Sequence, residues 1–331
     1  MGARETRRAD VVSPLRDLEG SPFVHVVNLS SEPLGKLHSW LPHDFVGETV
    51  VFLPDACPGK SPLPTGVAAL TRQADWRRFA VSDCGCGMRL MRSSVPSGGV
   101  TQSRWDELAA RLQSNKGRLG DLGGGNHFLD ALEPYDSGPM HFLVHTGSRH
   151  ESGHVDALVD RPDAFDAEFD RVVSWAEENR RQIHREIEAV FGRCELVLDL
   201  PHNTYERLAD GGAIIRKGSV HLRPGALSII PSHMSGDVVL VRATDRVAET
   251  LFSMSHGTGR RMSRGDCKPL ADRFDFAELR RQVLMPTCLA DASLRTEGPY
   301  AYRELDECLA LIDGYVTEES RFAVVAYMGH L

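Results

Sequence analysis

Four short segments each place a metal-capable side chain in, or just beyond, an apolar run that ends in a turn. The first, Val81-Ser82-Asp83-Cys84-Gly85-Cys86-Gly87-Met88, holds a carboxylate and a thiol, Asp83 and Cys86, among glycines that permit tight backbone curvature. The second, Leu122-Gly123-Gly124-Gly125-Asn126-His127-Phe128, sets His127 at the mouth of a glycine turn whose backbone can approach a phosphate. Leu143-Val144-His145-Thr146-Gly147-Ser148-Arg149 and Leu198-Asp199-Leu200-Pro201-His202-Asn203 each add a histidine at a strand end. Any one of these alone is equally an ordinary buried turn or a structural histidine. Together Asp83, Cys86, His127, His145 and His202 supply one thiolate, one carboxylate and three imidazoles. A bridging thiolate with oxygen and nitrogen donors suits a pair of divalent transition ions and is the wrong set for magnesium alone. The donors are too scattered for a zinc-finger spacing, so the fold must assemble them.

A fifth segment, Met254-Ser255-His256-Gly257-Thr258-Gly259-Arg260-Arg261-Met262-Ser263-Arg264, follows a histidine with three arginines. Neutral imidazole attacks phosphorus to give a phosphoramidate that readily passes its phosphoryl group on. Arginines can hold the phosphate oxygens bidentately. The competing reading is a solvated basic helix start after a glycine turn. Arg216-Lys217-Gly218, with Arg223, offers a further basic strip for a nucleic-acid backbone.

Something must position these groups, and the chain is long enough to do it. Its 331 residues make one large domain or two ordinary ones, and no linker divides it. With 41% hydrophobic and 25% charged residues it is an ordinary globular sequence, and a net charge of −8 excludes a protein basic all over while leaving room for a basic cleft. No apolar run reaches membrane-span length, the first ten residues are charged rather than signal-like, and seven irregularly spaced cysteines fit a reducing compartment. Strands are expected at Val24–Leu29, Thr49–Leu53, His141–His145, Cys194–Leu200 (buried) and Val238–Arg242, with a loop over Pro54–Gly66. An amphipathic helix is expected over Ser103–Gln113 with Ser103 as N-cap, and a long charged helix over Ala164–Phe191, ended by Gly192. Strands and helices without a regular βαβ rhythm indicate an α+β fold.

In chain order, these segments resemble the RtcB family of GTP-dependent RNA ligases, from about residue 53 to the last ten residues. Leu53-Pro54-Asp55-Ala56-Cys57-Pro58-Gly59-Lys60 is similar to the family's PD-x-H-x-G-K/Y, Asp83 to Met88 to D-x-G-C-G-M, and Gly123 to Phe128 to GGGNHF. His145 to Arg149 resembles H-S-G-S-R with Thr for Ser, His202-Asn203 the family's HN, and Arg216-Lys217-Gly218 its RKG. His256 to Arg264 is similar to HGAGR-x-x-SR, and Glu297 to Arg303 to a late E-x-P-x-A-Y-K. The order of the matches is more specific than any one of them.

The resemblance implies a single RtcB-like α+β catalytic domain across 1–331, with mixed and antiparallel sheets, flanking helices and its motifs at about 50–305. It implies joining of RNA ends bearing a 3′-phosphate or 2′,3′-cyclic phosphate to a 5′-hydroxyl. Manganese, as two ions with zinc or cobalt as substitutes, falls to Asp83, Cys86, His127, His145 and His202. His256 takes GMP from GTP, and Asn126, Asp130, His256, Gly257, Gly259, Arg260 and Tyr302 contact the nucleotide. The implied partners are RNA, GTP and an activating protein, for a cytoplasmic monomer or weak dimer without a membrane.

The chain also departs from the pattern. Cys57 replaces a histidine, His150 replaces a glycine, and Pro231-Ser232-His233-Met234-Ser235-Gly236 disturbs the nucleotide-contacting P-G-S-M-G. Ala326-Tyr327-Met328-Gly329-His330-Leu331 stands where the family has a lysine-glycine that helps hold guanine, and the spans from Cys86 to His127 and from His145 to His202 are short. A divergent paralogue with a narrower substrate or different nucleotide is therefore expected. The alternative is a metal-dependent RNA cyclic phosphodiesterase or end-binding paralogue without nucleotide-dependent ligation, against which the retained His256 argues.

Overall fold

In a computed structural model, which describes residues 25–59, 61–80 and 83–331, β-branched and aromatic runs pair into three sheets. The first has the order β1 (His25–Asn28), β2 (Thr49–Cys57), β3 (Thr65–Thr71), β9 (Ala213–Lys217), β8 (Asn203–Arg207). Its β1–β2 pair is parallel and the others antiparallel. The second is fully antiparallel: β11 (Leu227–Pro231), β12 (Asp237–Ala243), β14 (Val316–Met328), β5 (Phe128–Pro134), β6 (His141–Thr146), β4 (Gly87–Ser93), β7 (Cys194–Pro201). A two-stranded ribbon joins β10 (Ser219–His221) to β13 (Ser253–Ser255). Mixed and antiparallel sheets flanked by helices make the fold α+β.

Helices α1 (Leu34–His38) and α2 (Arg77–Ala80) close one side of the five-stranded sheet through Leu37 and Phe79. Helix α3 (Gln102–Ser114) buries Trp105, Leu108 and Leu112 against the seven-stranded sheet. Helix α4 (Pro162–Phe191) serves both cores. Phe165, Phe169 and Val172 of its first half join the core of the five-stranded sheet, and Ile183, Ile187 and Phe191 that of the seven-stranded one. Each such side chain contributes about 1.5–3 kcal/mol on burial. Among the described residues no helix is long and apolar enough to cross a membrane.

Some expectations are adjusted. Val24, Lys60, Val81 and Ser82 lie outside the described residues. The loop expected from Pro54 begins later: β2 continues to Cys57 through an irregularity between Phe52 and Cys57, which accommodates a proline that cannot donate to the ladder. Ser103 is inside the first turn of α3; Thr101 precedes the helix and caps with no side-chain hydrogen bond. Proline at the first position starts α4 two residues early, at Pro162, because its missing N–H costs nothing there. The strand β7 is only half-buried, with Leu196 46% exposed, because it is the sheet's edge.

Candidate active site

Antiparallel pairing places the start of one strand beside the end of its neighbour, and this collects the donors. Cys86 immediately precedes β4, whose Gly87 pairs with Thr146 of β6 and Pro201 of β7. His145 is therefore beside it on one side and His202, one residue past β7, on the other. His127 immediately precedes β5, whose Phe128 is in register with His145. Two groups result, Asp83–Cys86–His127 and Cys86–His145–His202, each with ligand atoms within 4.8 Å of one another, and Cys86 is common to both. All five residues are buried. Cys86 Sγ lies 3.4 Å from His145 Nε2 and 3.6 Å from His127 Nε2, and His127 Nε2 is 3.3 Å from Asp83 Oδ2.

Two glycines make the approach possible. Gly85 has φ of +70°, and a Cβ there would stand 2.8 Å from the Val173 Cα of α4. At Gly147 a Cβ would stand 2.5 Å from Asp83 Oδ1 and 2.8 Å from the Cys86 Cβ.

The donor set fits divalent ions. Asp83 Oδ1 accepts from the Ser148 amide at 2.7 Å, while Oδ2 is buried and lacks a hydrogen-bond partner. Burial drives the Asp83 carboxyl up, but His127, the Ser148 amide and Arg149 more than offset it, so it stays ionised below the usual range. Burial holds His145 and His202 well below the ordinary imidazole range, leaving their lone pairs available. The same burial, with Asp83 beside it, pushes the Cys86 thiol well up; a bound cation is what would make it a thiolate.

His256, just past β13, shares this cleft: its ring centroid is 4.2 Å from that of His202 and 5.9 Å from that of His145. Its Nδ1 is 2.8 Å from the Gly218 carbonyl and 2.7 Å from Asp55 Oδ2. Two acceptors against one nitrogen require that Nδ1 carry the proton, and the N–H lines up with the carbonyl; Asp55, fully buried, acts through its charge. In the neutral ring this tautomer puts the lone pair on Nε2. Asp55 is not among the sequence-derived site candidates; the available signal is its place in the segment Leu53 to Lys60 that resembles a family motif, in a stretch expected to be a loop.

The arginines are committed differently from the expected phosphate clamp. Arg260 and Arg264 both donate to buried Glu297, each at 2.9 Å, Tyr302 Oη donates to the same carboxylate, and Arg261 donates to the Tyr300 carbonyl. Arg216 is no surface strip: it is 3% exposed and spent on Ser253, Glu206 and the Leu251 carbonyl. Lys217 lines the cleft, and exposed Arg223 does not.

The cleft, about 1280 Å³, is lined by Asp83, Cys86, His145, His202 and His256 together with Asn126, Asp130, Gly257, Gly259, Arg260 and Tyr302. Asp130 is 3% exposed, its Oδ1 has no partner, and burial pushes its carboxyl well up. Phe128 stacks on Tyr327 at 6.4 Å beside it. Of the departures, Cys57 and His233 line the cleft, the Pro231 carbonyl accepts from the Thr258 amide at 3.1 Å, and His330 lies against Gly124 of the glycine turn.

A family model described as "tRNA-splicing ligase RtcB" matches residues 164–326. The chain is 28% identical to the RNA-splicing ligase RtcB2 of Escherichia coli, over 80% of this chain and 83% of that protein. It is 24% identical to the RNA-splicing ligase RtcB of Escherichia coli K12, over 80% and 86%. To the RNA-splicing ligase RtcB of Mycobacterium tuberculosis it is 26% identical, over 70% and 69%.

Proposed function

We propose that the chain, which is similar to RtcB ligases over most of its length, is a member of that family and an RNA ligase that joins 3′-phosphate or 2′,3′-cyclic-phosphate ends to 5′-hydroxyl ends through a histidine–GMP intermediate. The observation that carries this reading is His256, pinned through Nδ1 beside the five-donor cluster, four of whose members, Asp83, Cys86, His145 and His202, line the same cleft. Two manganese ions held by Asp83, Cys86, His127, His145 and His202, with zinc or cobalt as substitutes, would supply Lewis-acid neutralisation of phosphoryl oxygens.

His256 Nε2 attacks the α-phosphorus of GTP; the N–P bond forms, the bond to the bridging oxygen breaks and pyrophosphate leaves. An oxygen of the RNA 3′-phosphate then displaces the imidazole and takes GMP. The 5′-hydroxyl, losing its proton, attacks the 3′-phosphorus and expels GMP. A cyclic end is first opened by water. Asp130, buried with an unpartnered oxygen, accepts from the N–H edge of the base, and Asn126, Gly257, Gly259, Arg260 and Tyr302 line the nucleotide's path. The protein acts in the cytoplasm on RNA with such ends, as a monomer or weak dimer served by an activating partner.

Incubation with manganese and α-labelled GTP tests this. The protein becomes labelled, the label is acid-labile and base-stable as a phosphoramidate must be, and His256→Ala takes no label while keeping its metal. An unlabelled wild type, or a His256→Ala variant that seals 3′-phosphate RNA at the wild-type rate, refutes the mechanism.

A further inference from the structure

We propose that the adjacent pair Asn179–Arg180 on α4 positions all four metal-bearing segments, and so sets the affinity and geometry of the two metal sites. This rests on the metal reading above. Both side chains are 1% exposed, at the point where α4 passes from one apolar core to the other. Arg180 Nε donates to Asp199 Oδ1 at 2.6 Å, and its Nη1 to the carbonyls of Gly85 at 2.9 Å and Thr146 at 3.3 Å. Gly85 lies between Asp83 and Cys86, Thr146 follows His145, and Asp199 is on the strand that delivers His202. One guanidinium thus touches three ligand-bearing segments from behind.

Asn179 holds the fourth. Its Oδ1 accepts from the Gly120 amide at 2.7 Å and its Nδ2 donates to the Asp121 carbonyl at 2.8 Å, where the chain enters the glycine turn of His127. Asp121 in turn takes the Gly123 amide at 2.8 Å. Consecutive helical residues diverge by about 100°, so the two side chains fan out, one to the turn and one to the loop. Both oxygens of Asp199 are engaged: the other takes Arg89 at 2.7 Å, and Arg89 Nε donates to His184 Nδ1 at 3.2 Å.

Burial alone does not call for such residues. Ile183 and Ile187 further along the same face meet it with apolar side chains, whereas a buried guanidinium is tolerated only where its hydrogen bonds are spent to purpose. Here the fork is spent on backbone and a carboxylate that fix where the donors stand, as partners behind metal ligands commonly do.

The test uses the full chain, cobalt(II) absorption as a report on thiolate coordination, and manganese stoichiometry. Asn179→Ala releases chiefly the loop of His127, its remaining contact being a long one of 3.5 Å to the Thr146 hydroxyl, so one ion is expected to weaken by about 10–100-fold while the other is retained. Arg180→Lys keeps the charge but loses the planar fork, so both ions weaken by about 10–100-fold and the cobalt spectrum at saturation changes. Wild-type affinity and spectrum in both variants would overturn the inference. Circular dichroism separates these effects from unfolding; should Arg180→Lys fail to fold, Asn179→Ala decides alone, and two ions held normally there refute it. If the wild type binds no divalent ion, the metal reading falls first; if it binds two and the variants match it, only this inference fails.

Discussion

His256 meets two acceptors through one nitrogen, and that asymmetry decides what the other nitrogen can do. With Nδ1 committed to the Gly218 carbonyl and flanked by Asp55, the neutral ring carries its lone pair on Nε2, and in the proposed attack the positive charge that develops on the ring would have a carboxylate beside it. Asp55→Asn preserves the shape and removes the charge. It is expected to slow transfer of GMP to the protein by about 10–100-fold, the equivalent of ~1.5–3 kcal/mol for a charge-assisted contact. Pre-steady-state labelling measures this, and a wild-type rate would leave Asp55 with packing alone. Cys86 is the other pivotal atom, because it belongs to both donor groups. Cys86→Ala should empty both sites yet leave the fold, since the turn rests on the backbone of Gly85 and Gly87. Elemental analysis after dialysis reads the outcome, and undiminished manganese would remove Cys86 from the ligand set.

At the scale of elements, α4 is the part on which the site depends most. Its first turn is tied down by Asp166, which takes Arg77 at 2.8 Å, Arg207 at 2.9 Å and the Tyr205 hydroxyl at 2.8 Å. Burial raises the Asp166 carboxyl, but Arg77, Tyr205 and Arg207 together bring it below the ordinary value. A carboxylate depressed on folding adds stability above its unfolded pKa, near 3.9, and loses it as pH falls through the folded value. Asp166→Asn should therefore cost about 3–5 kcal/mol at neutral pH, and the gap from wild type should close only in acid below about pH 4. Chemical denaturation across pH checks the sign; a gap widening in acid would mean that Asp166 is not the group responsible.

The whole molecule carries a net charge of −8, yet eight arginines and lysines against six carboxylates line the cleft among the described residues. The local balance there opposes the global one, which favours a polyanion approaching this cleft. Because RNA contacts release counterions, the KM for RNA should rise steeply with salt. Formation of the GMP adduct, with a small ligand, should change less. Ligation and labelling followed over the same salt series test this; equal sensitivity would place RNA outside the cleft.

How much of this was legible in the chain follows from the range of each interaction. The five donors, His256 and the long helix could be read because residue type, glycine spacing and helical period are local properties. Which donors fall on which side of the bridging Cys86 could not, because that depends on the register of β5, β6, β4 and β7, residues far apart in sequence that pair antiparallel. The pairing of Arg260 and Arg264 with Glu297 was equally hidden: a run of arginines looks free until the carboxylate that neutralises it is brought across more than thirty residues. Asp55 and Arg180 stood in stretches that read as loop and as charged helix, and only the fold gave them partners. The sequence by itself determined which side chains are available for the proposed chemistry, since the candidate donors and nucleophile are set by side-chain identity. Only the tertiary structure decided which atoms face one another, because that is set by packing and register, where one residue's shift moves every donor to the opposite face.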